Sequence, residues 1–198
     1  MVASGFLPIA FYKNKLHFLF GKEAYNDSSP GFSDFAGKIE KNENNIYQAG
    51  LREMAEETTG FFGDANDIDI LVKKNGGVFP VVHNDYHIHI FKIDYDEKLI
   101  DYYNKSHKFI YKHMNHNVLK KTCIFEKVEI SWMTIDDMKK RRNEFREFYR
   151  EILDKLIYNY PKIRNFIVKT SKKHNKTRRL NDTKSYLLLR QSGFYLKH

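Results

Sequence analysis

The sequence predicts an α/β protein, because two kinds of apolar pattern alternate along its 198 residues. Residues 6–12 and 15–20 are apolar, aromatic-rich runs joined by Lys13-Asn14, a pattern typical of a β-hairpin. Residues 137–159 instead space their apolar side chains three and four positions apart, as a helix with one buried face does. The apolar fraction of 41% is ordinary for a folded domain, so we expect a proper core.

The remaining elements follow in chain order between these two ends. Residues 25–33 contain Ser29-Pro30-Gly31 and are predicted to form a loop. A helix runs from about residue 45 to about residue 58, with Asn44 as its N-cap. Residues 95–120, rich in Tyr and Lys, are expected to form one or two short helices inserted between strands. The predicted strands lie near residues 68–73, 78–82, 86–93 and 125–133.

Hydropathy and cysteine content indicate a reducing, aqueous compartment. No run approaches the roughly 18 apolar residues of a membrane helix, and the N-terminus lacks the pattern of a signal peptide. The single Cys123 cannot form an internal disulfide, and we expect it to serve packing. The sequence therefore predicts a cytoplasmic protein without membrane contact.

Positive charge is concentrated at the C-terminal end. Residues 161–198 hold eleven Lys and Arg and one acid, a net charge of +10, whereas residues 1–160 hold 23 basic and 24 acidic groups. A cluster such as residues 172–179 attracts polyanions through counterion release. We therefore predict a domain over residues 1–160 and a basic extension over residues 161–198 that packs on it. A solubilising tail is the open alternative.

Acidic residues cluster on the helix predicted over residues 45–58. At about 100° per residue, Glu53 and Glu57 lie about 40° apart, with Glu56 about 60° to the other side. Like charges so placed destabilise a bare helix, so this face makes sense when a cation lies among the three carboxylates. Ligands that are all oxygen suit Mg²⁺ or Mn²⁺. A solvated helix face is the structural alternative.

At these residues the sequence resembles the Nudix hydrolases. Their motif runs Gly, five residues, Glu, seven residues, then Arg-Glu, an apolar residue, any residue, Glu-Glu, any residue and Gly; Gly37, Glu43 and residues 52–57 follow it. Eight residues instead of seven precede Arg52, and two instead of one precede Gly60. The resemblance implies an α/β/α sandwich with a mixed central sheet, here with a helical insertion and the basic C-terminal appendage.

The resemblance also implies hydrolysis of a diphosphate linkage in a nucleoside-diphosphate-linked substrate, with Mg²⁺ or Mn²⁺ as cofactor. The implied metal ligands are the carbonyl of Gly37 and the carboxylates of Glu53, Glu56 and Glu57.

Further site residues follow from the same resemblance and from their neighbours in sequence. Glu56 or Glu57 is expected to take the proton from the attacking water, and Glu129, on the polar face of a strand, is a second candidate for this base. Arg52 is expected to position Glu56, because Arg before Glu is the less stabilising order at this spacing. Lys38 is expected to meet phosphate.

The leading substrate hypothesis is the 5′ cap of messenger RNA. A basic appendage offers a path for an RNA chain, and abundant Lys, Asn, Ile and Tyr fit a large DNA virus, which would place the protein in the host cytoplasm. One alternative is a pyrophosphohydrolase acting on dinucleotide polyphosphates, nucleotide sugars or diphosphoinositol polyphosphates. Another is an inactive RNA-binding module, which the intact Arg-Glu-x-x-Glu-Glu disfavours. The sequence leaves the oligomeric state open. The residues predicted to hold RNA are Lys172, Lys173, Arg178 and Arg179.

Overall fold

The computed structural model describes residues 2–24, 27–122 and 125–191, with side chains described up to residue 170 except at residues 120–122. Cys123 lies outside this part, so its packing role stays a prediction. The strands are β1 (Ala3–Tyr12), β2 (Lys15–Glu23), β3 (Gly31–Ser33), β4 (Phe35–Lys38), β5 (Val78–His83), β6 (Tyr86–Lys92) and β7 (Lys127–Met133). The helices are α1 (Ile46–Glu57), α2 (Ala65–Lys74), α3 (Glu97–His113), α4 (His116–Thr122), α5 (Ile135–Lys140) and α6 (Tyr149–Gln191).

The seven strands form one mixed sheet, as predicted. Its order is β3-β2-β1-β6-β5, with β4 added on β1 and β7 added on β2. The β1–β6 pair is parallel, and the other pairs are antiparallel. The predicted β1–β2 hairpin is confirmed, and its turn residues Lys13 and Asn14 both have positive φ, as a two-residue turn that matches strand twist requires.

Helices cover both faces of the sheet, which confirms the α/β/α sandwich. On one face α6 buries Tyr149, Ile152 and Leu156 against the strands. On the other face α1, α2 and α3 bury a second apolar cluster with the sheet, which includes Leu51 and Tyr103. No helix in the described part of the chain is long and apolar enough to cross a membrane.

Residues 68–73, predicted as a strand, belong instead to helix α2. Asp64 and Asp67 form a reciprocal capping box at its start, which satisfies two backbone N–H groups. Ile68 and Val72 are buried one helical turn apart. The error has a physical reason: a short apolar run fits either structure, and the cap residues that decide the choice precede it.

The sequence predicted one helix over residues 137–159, but the structure divides this segment into several elements. Thr134 caps the short α5, and a 3₁₀ turn follows over Arg142–Glu144. Phe145 is extended and pairs with Phe32, so α6 begins only at Tyr149. The helix α6 then continues through Pro161, so the predicted boundary between residues 160 and 161 falls inside one helix. Ile163 and Ile167, beyond that boundary, are buried in the core.

The inserted segment forms α3 and α4 between β6 and β7, where one or two helices were predicted. The side chain of Asn104 on α3 both donates to the carbonyl of Ile130 and accepts from its N–H, at 3.2 and 2.9 Å. These two bonds fasten α3 along β7, so the insertion has a fixed place beside the sheet.

His89 gives a test of this packing. Its ring lies 4.9 Å from that of Phe6 and 5.2 Å from that of Tyr47, and neither ring nitrogen has a hydrogen-bond partner among the described residues. Burial lowers the pKa of His89 to about 4, below its ordinary value. The unfolded chain therefore takes up a proton first as the pH falls, and stability is lost between about pH 6.5 and pH 4.

We predict that His89→Phe reduces this acid sensitivity. At pH 4.5 the variant should gain about 2 kcal/mol in free energy of unfolding relative to its difference from the wild type at pH 7.5. Urea unfolding at both pH values measures the gain, with the exposed His113→Phe as control. An identical pH dependence for the His89 variant and the wild type would show that His89 is not buried uncharged.

Candidate active site

Helix α1 carries the acidic motif and is held close to β1. Asn45, one residue after the predicted N-cap, accepts hydrogen bonds from the N–H groups of Tyr47 and Gln48. Gly50 lets α1 approach the sheet, because a Cβ there would lie 2.7 Å from Ser4 Oγ. At the other end Thr59 and Gly60 both have positive φ and end the helix. The two departures from the Nudix spacing are thus absorbed outside residues 52–57.

Arg52 joins three carboxylates on the outer side of α1. Its guanidinium lies 2.9 Å from Glu43 Oε1, 2.8 Å from Glu53 Oε1 and 3.0 Å from Glu56 Oε2. It also donates to the carbonyl of Lys38 at 3.3 Å. The hydrogen bond from Arg52 lowers the pKa of the Glu43 carboxyl. We call Glu43, Arg52, Glu53 and Glu56 the outer cluster, in which Arg52 contacts all three carboxylates.

Glu53 is seated against the backbone of Gly37. A Cβ at Gly37 would come within 2.1 Å of Glu53 Oε2, so only glycine leaves room for the carboxylate there. Burial raises the pKa of Glu53, while Arg52 lowers it and the charges of Glu56 and Glu126 raise it further. Glu126, just before β7, is thus an acid near this site that the sequence did not single out.

Glu57 points inward, away from the arrangement predicted for it. It is 4% exposed, and its Oε1 lies 2.9 Å from the Nζ of Lys127, which is fully buried. Lys127 also contacts Glu23 Oε1 closely and lies 3.3 Å from Ser33 Oγ. The expectation that Glu53, Glu56 and Glu57 all point one way is therefore corrected. The cause is Lys127, a buried cation that requires a carboxylate partner in the interior.

A second buried acid lies near this pair. Asp34 accepts a hydrogen bond from Tyr86 Oη at 2.6 Å, and its Oδ2 has no hydrogen-bond partner among the described residues. Burial raises the pKa of Asp34 to about 7, and burial also raises the pKa of Glu57, although the ammonium of Lys127 lowers it. Burial alone would lower the pKa of Lys127, but Glu57 and Glu23 raise it above its ordinary value. We call Glu23, Asp34, Glu57 and Lys127 the inner cluster.

The carboxylates of both clusters are of a kind that binds metal, but Glu53, Glu56 and Glu57 are already paired with basic residues. Among the described residues, no group of three or more His, Cys, Asp or Glu side chains is arranged to hold an ion. The donors nevertheless fit Mg²⁺ or Mn²⁺ in kind: Glu53 sits on the Gly37 backbone, Glu56 is exposed, and Glu57 Oε2 is buried without a partner in the described part. As the chain stands, Arg52 and Lys127 neutralise these carboxylates.

The remaining predicted site residues lie outside the two clusters. Lys38 is exposed at the end of β4, beside the outer cluster. Glu129 on β7 forms its ion pair with Lys22, at 3.6 Å. The four basic residues predicted to hold RNA are on the C-terminal half of α6, and their side chains lie outside the described part: Lys172, Lys173, Arg178 and Arg179.

Comparison with known proteins gives one family match. The model of the NUDIX domain matches residues 6–156. No curated protein sequence matches the chain. The NUDIX domain of Shewanella oneidensis NrtR, solved with ADP ribose, is 10% identical with a TM-score of 0.45, covering 82% of this chain and 86% of that one. An Ap4A hydrolase binary complex from C. elegans is 13% identical with a TM-score of 0.44, covering 78% and 93%. A NUDIX hydrolase from Nitrosomonas europaea is 16% identical with a TM-score of 0.39, covering 80% and 86%.

The seat of Glu53 on Gly37 can be tested directly. We predict that Gly37→Ala pushes the Glu53 carboxylate out of place and weakens Mn²⁺ binding roughly tenfold, the size expected when a ligand loses its support. Calorimetric titration with Mn²⁺ measures the change.

The double variant Gly37→Ala with Glu53→Ala is the control. If the glycine acts through Glu53, the double variant binds Mn²⁺ no more weakly than Glu53→Ala alone. Additive losses would mean that Gly37 contributes by another route.

Proposed function

Since the chain belongs to the NUDIX domain family, we propose that it is a metal-dependent hydrolase that cleaves a diphosphate linkage in the 5′ cap of messenger RNA. The observation that supports hydrolysis most directly is the outer cluster, where Arg52 contacts both Glu53 and Glu56 and Glu53 lies against the Gly37 backbone. Both carboxylates lie within 3.0 Å of one guanidinium, so they are close to each other.

The proposed ligand set is the Gly37 carbonyl with Glu53, Glu56 and Glu57. When bound there, Mg²⁺ or Mn²⁺ would neutralise the charge of the diphosphate and acidify a water. Glu53 is already fixed by Gly37 and Arg52, and Glu56 is accessible, with 56% of its side chain exposed. Lys38, exposed next to this cluster, is placed to attract a phosphate group.

The candidates for the general base on α1 differ in their exposure to solvent. Glu56 is open to solvent, whereas Glu57 faces Lys127 in the interior. A base must reach the water whose proton it takes, so the arrangement favours Glu56 over Glu57. Glu129 remains the candidate from outside α1, although it would first have to leave Lys22.

The choice of RNA as substrate rests on charge. Residues 161–198 carry a net charge of +10. Residues 161–191 of this segment are part of helix α6, and two of them, Ile163 and Ile167, are buried in the core. A helix rooted in the hydrolase domain and rich in Lys and Arg suits a long polyanion better than a small nucleotide, because each neutralised phosphate releases counterions. The assignment of residues 161–198 as a basic extension, and the docking of its part beyond residue 170, belong to this proposal.

We predict that Glu56→Gln lowers turnover of cap-labelled RNA roughly 100-fold, because the amide cannot accept a proton. Chromatography of the labelled products, with methylguanosine diphosphate as the expected one, measures the rate. Glu97→Gln, an exposed acid on α3, should leave it unchanged. Full turnover by the Glu56 variant would remove Glu56 as base and raise Glu129. No cleavage of any diphosphate by the wild type would favour the inactive binding module.

The substrate class has its own test. Replacing Lys172, Lys173, Arg178 and Arg179 by Gln should weaken binding of long capped RNA and lower the slope of log affinity against log salt concentration by about 3. Turnover of the free cap dinucleotide should not change. Four Gln substitutions at the exposed Lys41, Lys112, Lys139 and Lys140 give the matched control. Equal wild-type rates on long RNA and on free dinucleotide would instead indicate a small-molecule pyrophosphohydrolase.

A further inference from the structure

Lys127 is a buried lysine that the proposed chemistry does not use. We propose that Lys127 is a positioning residue that holds Glu57 in the inner cluster and competes with a divalent cation for that carboxylate. The inference rests on the proposed function, because Glu57 is one of its metal ligands. The proposal predicts that metal affinity depends on the buried Lys127 as well as on the carboxylates of α1.

The contacts of Lys127 are those of a bound cation. An ammonium group has three N–H donors. The Nζ atom has three oxygen neighbours, namely Glu23 Oε1, Glu57 Oε1 at 2.9 Å and Ser33 Oγ at 3.3 Å. The same kinds of oxygen would suit a hard divalent ion. The ammonium thus satisfies the charge of Glu57 without an ion.

The position of Lys127 is built into the fold. Its stem crosses Gly21, where a Cβ would lie 2.7 Å from Lys127 Cγ, so only glycine leaves the path open. The hydroxyl of Tyr103 lies 2.9 Å from the Lys127 carbonyl and 3.2 Å from the Glu57 carbonyl. Tyr103 therefore links the backbones of the two residues, and the ion pair between their side chains is more than a chance contact.

Glu57 is the member of the inner cluster that a metal would recruit. Glu23 also accepts from Arg146 at 2.9 Å, so two cations hold it. Asp34 is held by Tyr86 on one oxygen. Glu57 is held only through Oε1 among the contacts of the described residues, and its Oε2 has no hydrogen-bond partner there.

A divalent ion on Glu57 would be close to the ammonium of Lys127. Two positive charges at such separation in a low-dielectric interior repel strongly. Glu57 can therefore serve the metal only when its pair with Lys127 weakens. Removing the ammonium should free Glu57 and tighten metal binding, whereas a lysine with only a structural role should leave metal binding unchanged or weaken it.

Mn²⁺ affinity of the full chain, measured by calorimetry without substrate, tests the proposal. Lys127→Met should tighten Mn²⁺ binding at least tenfold, and Lys127→Arg, which keeps the charge, should stay near the wild type. Adding Glu57→Gln to Lys127→Met should abolish the gain. Lys22→Met, which removes another ion-paired strand lysine, is the matched control and should show wild-type affinity.

Lys127→Met leaves buried carboxylates without their cation, so a second variant keeps the test valid if Lys127→Met does not fold. The double variant Glu23→Gln with Lys127→Met removes one of these charges and should show the same tightening. Thermal unfolding should show a larger rise in Tm on adding Mn²⁺ for either variant than for the wild type. Unchanged or weaker Mn²⁺ binding in both variants overturns the proposal.

Cap hydrolysis by the wild type distinguishes a failure of the Lys127 proposal from a failure of the proposed function. If the wild type cleaves a diphosphate and the Lys127 variants show no tightening, the inference on Lys127 fails and the proposed function stands. If no diphosphate is cleaved but Lys127→Met binds Mn²⁺ more tightly than the wild type, the competition stands and the proposed function fails.

Discussion

The burial of charge where β2, β7 and α1 meet is the constraint on which the candidate site depends. Three carboxyl groups and one ammonium lie within the inner cluster, and Lys127 is wholly removed from solvent. A buried charge that is left without a partner costs several kcal/mol, about 3 to 5, so Lys127 requires the carboxylates around it. The positions of Glu23, Ser33 and Glu57 are therefore linked, although they come from different parts of the chain. This links the sheet to the orientation of the acidic helix.

This linkage divides the acids of α1 into two groups with different surroundings. Glu53 is largely buried between Arg52 and the Gly37 backbone, and Glu56 is exposed beside Arg52. Glu57, one residue further, belongs to the interior and has its pKa raised by burial. Adjacent carboxylates in unlike environments have unlike proton affinities. The fold thus gives neighbouring acids of one motif different surroundings.

Local patterns were enough to predict the hairpin, helix α1 and the acids on it, because each depends on residues a few positions apart. The strand predicted over residues 68–73 failed for a local reason, the capping box at Asp64. The inward turn of Glu57 could not be predicted, since its cause lies far away in sequence: Lys127 meets Glu23 across 104 positions and Ser33 across 94. A lone lysine at the start of a strand carries no signal of that partner. The same holds for Asp34, whose contact with Tyr86 spans 52 positions.

Tyr103 has a consequence for how this chain can change over generations. The inserted helix α3 supplies a phenol, that of Tyr103, which approaches the carbonyls of both Glu57 and Lys127. A lineage that trimmed the insertion would leave the end of α1 and the start of β7 with two buried acceptors and no donor from α3. Leaving a buried acceptor unsatisfied costs about 1 to 3 kcal/mol, so the stability of this chain depends on a residue of α3.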